Sequence, residues 1–248
     1  MHLVIPFLDE TSTLEEIVRR VLDVEWPSGW DVAPILVDDG SASPAKAEAE
    51  AIAHRDERVR LVHHTRNEGK GAALQTGFAL AIEQASPEDV VGVQDADLEY
   101  APQDLRRFVE LFQSEGRGVD AIFGNRWHSK PTSPVAILHR LGNRGLTELS
   151  NLATGLGVTD MECCYKVFRA PMLRRMLPQL SESRFAIEPQ LAAVLARLDG
   201  SAAQVDVDYR PRTFADGKKI GIRDLFAAVA TIAREWRKTL RFKGGAAA

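Results

Sequence analysis

An α/β fold with a mostly parallel central sheet flanked by helices is predicted by three features of this 248-residue chain. Short apolar runs alternate with amphipathic stretches over the first two thirds. The runs are rich in β-branched residues, and Pro, Gly or Asp bounds each of them. Such alternation implies parallel strands joined by right-handed crossovers, with helices on both faces. Ligands gather at the carboxyl ends of such strands, so chemistry is expected just after each apolar run.

Leu3–Ile5 reads as the first strand, followed by Pro6-Phe7-Leu8-Asp9-Glu10 and a helix over Leu14–Leu22. Val32–Val37 is the second; it ends in Asp38-Asp39-Gly40-Ser41 and leads to a helix over Ala45–His54. The third, Val59–His63, precedes Asn67-Glu68-Gly69-Lys70-Gly71 and a helix over Ala72–Ala85. The fourth, Val90–Val93, runs into Gln94-Asp95-Ala96-Asp97-Leu98-Glu99, with a helix over Leu105–Phe112. Ala121–Phe123 is the fifth, and Trp127–Val135 reads as an exposed loop. A helix over Leu138–Leu152, a strand at Cys164–Phe168, a helix over Ile187–Leu198 and a strand at Ala203–Val207 complete the main domain, residues 1–219. A single Asp at a strand end is commonly a helix cap. Four acid- or glycine-bearing turns on one sheet edge point to a site instead.

Residues 220–243 form an amphipathic basic helix, and the glycine- and alanine-rich 244–248 is expected to be disordered. Within Ile220–Leu240 one stripe carries Ile222, Leu225, Phe226, Val229, Ile232, Trp236 and Leu240, with Arg234, Arg237, Lys238 and Arg241 mostly off it. Such a helix either docks its stripe on the domain or lies in a lipid headgroup layer.

Composition is that of a globular protein, 45% apolar and 27% charged. The net charge of −4 argues against a general nucleic-acid binder. From Tyr209 onward, ten Lys/Arg stand against three Asp/Glu, so an end of +7 follows a body of −11. That asymmetry fits an anionic partner, phosphate groups or a lipid surface, or a solvated helix face. The adjacent Cys163 and Cys164 build neither a disulfide framework nor a zinc site, which fits a reducing cytoplasm. No signal peptide is read before the first strand, and no run of about 18 apolar residues suggests a membrane span. A cytoplasmic protein, peripheral at the membrane face, is expected.

Asp95 and Asp97 place two carboxylates just after a buried strand, a donor set for a hard cation such as Mg²⁺ or Mn²⁺. Such an ion is the natural counter-charge of a diphosphate leaving group. Glu99 either adds a third oxygen or starts the following helix. The turn from Asn67 to Gly71 before a helix reads as an anion cradle or as a plain turn.

VIPFLDE, VDDGS, NEGKGAAL and QDADLEYAP, in this order and spacing, resemble family 2 glycosyltransferases of the GT-A fold. LGNRGLTELSN, TDMECCYKVFR, FAIEP and RTFADGKKI resemble the branch of dolichol-phosphate mannosyltransferase and related polyprenyl-phosphate sugar transferases. The resemblance implies an inverting, metal-dependent transfer from a UDP- or GDP-linked sugar to a polyprenyl or dolichyl phosphate. By position it implies that Pro6, Asp9 or Glu10, and Asp38 serve the nucleoside, with Asp39 beside it; Gly69, Lys70, Asp95 and Ala96 complete the expected nucleotide contacts. It implies that Asp95, Asp97 and Glu99 hold the metal, and that Arg126 and Arg144 hold the acceptor phosphate. Arg212 and Lys218 match a loop closing over the donor diphosphate, and Asp97, Arg126, Arg212 and Lys218 are the expected catalytic groups. Asp9 replaces a more usual asparagine, and Gln190 stands where many relatives have an acid. An anionic phosphate acceptor needs little base catalysis; a hydroxyl acceptor needs a carboxylate, for which Asp160, Glu162 and Glu188 are candidates. The alternatives are a soluble hydroxyl acceptor or an inactive sugar-nucleotide-binding relative. A nucleotidyltransferase is disfavoured, because its first loop should be basic and glycine-rich, whereas Pro6–Glu10 is acidic.

Overall fold

In the computed structural model the described residues are 1–128, 134–211 and 222–245. Seven strands, β1 (His2–Phe7), β2 (Ala33–Asp38), β3 (Arg60–His63), β4 (Val90–Val93), β5 (Ala121–Asn125), β6 (Lys166–Arg169) and β7 (Ala202–Asp206), form one sheet. Their spatial order is β3-β2-β1-β4-β6-β5-β7. β1 pairs in parallel with β2 and β4, β2 with β3, and β5 with β7. β6 runs antiparallel to both β4 and β5. The other six strands therefore share one direction, and their carboxyl ends lie along one edge. This is the GT-A architecture, with the mostly parallel sheet that the alternation predicts.

β1, β2 and β4 are buried along almost their whole length, as parallel strands covered on both faces should be. Helix α1 (Leu14–Leu22) buries Leu14, Ile17, Val18 and Val21, one stripe at helical spacing, with Glu15 and Glu16 in its first turn and Arg19 and Arg20 in its last. Burying each of those side chains contributes about 1.5–3 kcal/mol, and the terminal charges complement the helix dipole. α2 (Ser43–Arg55), α3 (Lys70–Gln84) and α4 (Leu105–Ser114) follow β2, β3 and β4. α5 (Pro134–Thr154) and a short α6 (Ala170–Met176) flank β6. α7 (Ile187–Arg197) is buried at every residue, so it is a core helix rather than a surface one.

α8 (Ile222–Gly245) packs on α7 and α5. It runs to Gly245, so Gly244 and Gly245 are helical, and the rest of the expected tail lies outside the described residues. Its docked face shares only Ile232 with the apolar stripe among the side chains described. Ala228, Thr231, Ile232 and Glu235 are buried, whereas Trp236 is 48% and Phe226 70% exposed. A polar clamp explains the choice. Glu235 accepts hydrogen bonds from Arg197 (2.7 Å) and Gln190 (3.2 Å), both buried on α7. A buried carboxylate needs such partners, and their positions orient the helix.

Candidate active site

The carboxyl edge of the sheet opens into a cleft of about 320 Å³. The ends of five strands contribute to it: Pro6, Phe7, Leu8 and Glu10 at the end of β1, Asp39 after β2, Asn67, Gly69 and Lys70 after β3, Asp95, Ala96, Asp97, Glu99 and Tyr100 after β4, and Arg126 after β5. The segment leading into β6 adds Glu162 and Cys164, the approach to α7 adds Arg184 and Phe185, and Tyr209 follows β7. Among the described non-glycine residues, Asp9 (φ 57°), Leu98 (φ 61°) and Asp199 have positive φ. The first two sit in loops that shape the cleft. Leu98 is a bulky residue in a costly conformation, held between Asp97 and Glu99. There the Glu99 amide donates to Asp97 Oδ1 at 3.1 Å.

Asp95 and Asp97 both line the cleft, as does Glu99. The Lys70 ammonium lies 2.9 Å from Asp95 Oδ1 and 3.2 Å from Glu188 Oε1. Burial would lower its pKa, but Asp95, Cys164 and Glu188 more than offset that and hold it well above its ordinary value. Lys70 is therefore a fixed positive charge in the cleft. A divalent ion on Asp95 must share that carboxylate with Lys70 or displace it. Among the described residues no cluster of three or more metal-capable side chains is preassembled. The donor set nevertheless fits Mg²⁺ or Mn²⁺, since such ions are commonly held by one or two carboxylates together with substrate phosphates.

The glycine turn has a different use from the one its composition suggests. The amides of Glu68 and Gly69 donate to the Asp39 carboxylate at 2.9 and 2.8 Å, and the Ala72 amide donates to Ser183 O at 3.0 Å. These three N–H groups are engaged within the protein, and Asn67, Gly69 and Lys70 line the cleft. Gly69 has φ +102°, and a Cβ on Gly71 would stand 2.1 Å from Glu182 O. The glycines admit the backbone of residues 182–184 against the helix start, and that segment carries Arg184 into the cleft wall.

Pro6, Glu10, Asp39 and Ala96 line the cleft, whereas Asp9 and Asp38 stand outside its lining. Asp9 Oδ1 accepts from the Ala42 amide at 2.7 Å, and Asp38 accepts from the Ser41 amide at 2.8 Å and pairs with His63 at 2.7 Å. Burial pushes Asp38 up, but Ser41 and His63 outweigh it and hold its pKa below the ordinary value. Arg126 lines the cleft from a buried position, its fork bound to Asp160 by two hydrogen bonds of 2.7 Å. Its guanidinium also faces the rings of Trp127 and Tyr209, about 5 Å from each centroid. Arg144 lies on the exposed side of α5, away from the cleft, 3.9 Å from Glu148. Arg212 and Lys218 lie outside the described residues.

Glu162, a candidate base for a hydroxyl acceptor, is a cleft carboxyl with a raised pKa. Its Oε1 is buried with no hydrogen-bond partner. Burial first, then the Glu188 and Asp160 carboxylates, push its pKa up to about 7, against the lowering effect of Lys166 and Arg126. Glu188 is ion-paired on both sides, to Lys70 and to the buried Lys166. Tyr100, Arg184, Phe185 and Tyr209 also line the cleft; Tyr100 lies within QDADLEYAP and Phe185 opens FAIEP, whereas Arg184 and Tyr209 only flank FAIEP and RTFADGKKI.

Residues 2–177 match the model of the family described as glycosyl transferase family 2. The chain is 28% identical over 221 residues to an undecaprenyl-phosphate 4-deoxy-4-formamido-L-arabinose transferase of Pectobacterium carotovorum subsp. carotovorum. It is 27% identical to a Salmonella choleraesuis protein of the same name. Each alignment covers 88% of this chain and 62% of the relative, so the chain spans less than two thirds of the length of these relatives. Among solved structures it resembles glucosyl-3-phosphoglycerate synthase of Mycobacterium tuberculosis. The complex with UDP has a TM-score of 0.64 and 19% identity over 96% of this chain and 79% of that one. The complex with Mg²⁺ and UDP has a TM-score of 0.66 and 17% identity over 94% and 78%. At such identities the likeness shows the fold.

Proposed function

The chain belongs to glycosyl transferase family 2, and from that premise we propose that it moves a sugar from a UDP- or GDP-linked donor to a polyprenyl or dolichyl phosphate, with inversion and with Mg²⁺ or Mn²⁺. The observation that carries this reading is the convergence of Asp95, Asp97, Glu99, Lys70 and Arg126 on one cleft at the carboxyl edge. Two named relatives act on undecaprenyl phosphate, and the structural neighbour was solved with UDP and Mg²⁺.

In this proposal Pro6, Glu10, Asp39 and Ala96 border the nucleoside, with Asp9 and Asp38 holding the loops that carry them. Asp95 and Asp97, with Glu99, present oxygens toward the donor diphosphate. A Mg²⁺ or Mn²⁺ held by Asp95 and Asp97 would supply the charge that neutralises the departing nucleotide. Lys70 adds a fixed charge at the same place, and preorganised charge of this kind is commonly the largest catalytic contribution. Arg126 faces the acceptor phosphate with a charge that Asp160 holds in place, and Arg144 meets that lipid further out. Arg212 and Lys218 complete the diphosphate contacts.

A second reading, transfer to a hydroxyl acceptor, is favoured by Glu162 alone. A buried carboxyl with one unpartnered oxygen and a pKa pushed up to about 7 suits a general base. Transfer from radiolabelled UDP- and GDP-sugars to undecaprenyl phosphate and to soluble hydroxyl acceptors separates the two. Asp97→Ala should lower transfer at least about 100-fold with folding intact. Near-normal turnover in that variant would end the proposal.

A further inference from the structure

The large apolar side chains exposed among the described residues all lie on two neighbouring helices. Ile137, Leu141, Leu149 and Leu152 are on α5; Leu225, Phe226, Val229, Trp236 and Leu240 are on α8. Leu225, Val229, Trp236 and Leu240 repeat at helical spacing, so they form one stripe beside the face that docks on α7. Of the apolar stripe read from the sequence, Ile232 is buried at the edge of the docked face, while Leu225, Phe226, Val229, Trp236 and Leu240 are exposed. α5 and α8 pack on each other, and monomeric soluble proteins rarely expose so many large apolar side chains on two packed helices without a partner.

Charge selects the partner. Residues 222–245 hold six Lys/Arg against two Asp/Glu, whereas the chain as a whole is at −4. Arg237 and Lys238 are exposed beside the stripe, and Arg140 and Arg144 stand on α5. A second copy meeting this face about a two-fold axis would set one basic helix against another, a like-charge contact. An anionic surface takes both features at once: apolar side chains enter the boundary between headgroups and acyl chains, Trp sits at its level, and basic residues meet the lipid phosphates. No helix among the described residues is long and apolar enough to cross a membrane.

Both helices also hold the cleft wall. Trp127, next to Arg126, donates through Nε1 to Asn143 of α5 at 3.2 Å, and Thr147 of α5 accepts from the Met161 amide at 3.1 Å. Arg234 of α8 pairs with Glu182, in the segment that carries Arg184 and Phe185. We propose that the exposed faces of α5 and α8 together form a docking surface for an anionic lipid bilayer, which sets the cleft at the headgroup layer. This deepens the lipid-phosphate reading and rests on it, but its test reads binding alone.

The test is flotation of the full chain with vesicles of phosphatidylglycerol and phosphatidylcholine, against phosphatidylcholine alone, at low and high salt. The chain is expected to float with the anionic vesicles only and to be released by 1 M salt. Arg237→Glu should weaken partitioning by about tenfold or more, since each basic residue near such a surface counts for about fivefold. Phe226→Ser with Trp236→Ser should abolish it, with the circular dichroism spectrum and UDP binding unchanged. Three results would overturn the proposal: no flotation, flotation equal on neutral vesicles, or a dimer in sedimentation equilibrium that the double variant dissolves. Transfer to detergent-solubilised undecaprenyl phosphate, assayed in parallel, reports on the acceptor reading by itself. If transfer persists without flotation, only the docking surface fails; if flotation persists without transfer, the acceptor reading fails.

Discussion

Replacing Glu162 by Gln removes one titrating proton while keeping the shape of the side chain. In the folded protein that carboxyl is pushed up to about 7, chiefly by burial and then by Glu188; its ordinary value is 4.5. The facing charges are Glu188 and Asp160, which raise it, and Lys166 and Arg126, which lower it. Between those two pH values the native chain binds a proton that the unfolded chain releases, so stability falls as pH rises. The contribution is complete below about pH 4.5 and is lost as pH rises through about 7. The gap, at about 1.4 kcal/mol per pH unit, amounts to roughly 3 kcal/mol, an upper bound because water follows a carboxylate that opens onto a cleft. Glu162→Gln should therefore match the parent near pH 5 and exceed it in stability by up to roughly 3 kcal/mol at pH 8. Urea unfolding of both proteins at pH 5, 6, 7 and 8 measures this difference. A stability difference that stays constant across the range would refute the reasoning, because it would place the Glu162 pKa at its unfolded value.

Other expectations follow from the same geometry. Gly71→Ala puts a methyl 2.1 Å from Glu182 O, so the segment carrying Arg184 and Phe185 must move; a loss of roughly 1–3 kcal/mol in thermal or urea unfolding is expected, with weaker donor binding. Asp160→Asn leaves the buried Arg126 guanidinium without its counter-charge and should cost about 3–5 kcal/mol, read by denaturant titration. Glu235→Gln loosens the clamp to Arg197 and Gln190, and hydrogen exchange in α8 should rise well before that of α7.

Much of the fold was legible because parallel strands and amphipathic helices write their periods into the chain. β1 to β4 and the turns after them lie where apolar runs and punctuating Asp or Gly place them. The reversed direction of β6 was not legible: alternation implies strand sense through crossover length, and β6 follows the long excursion of α5. Ala170–Met176 was missed because seven residues hold less than two turns of period. The site was legible where its residues sit directly on strand ends, as Asp95 and Asp97 do. It was illegible where they arrive from irregular segments outside the quoted motifs, as Arg184 and Tyr209 do. Within Asn67–Gly71 the amides of Glu68 and Gly69 serve Asp39, a partner far away in sequence that the composition of the turn does not show. The docked face of α8 was chosen by a buried Glu235 rather than by hydropathy, so a stripe of correct period turned outward.

Calorimetric titration of UDP and GDP into the parent chain and into Asp97→Asn, each with and without Mn²⁺, bears most directly on the role given to the aspartates. Saturable binding of one nucleotide that requires Mn²⁺ and disappears in Asp97→Asn, with an unchanged melting temperature, is the expected result. Binding that is indifferent to Mn²⁺ and equal in the two proteins would contradict it.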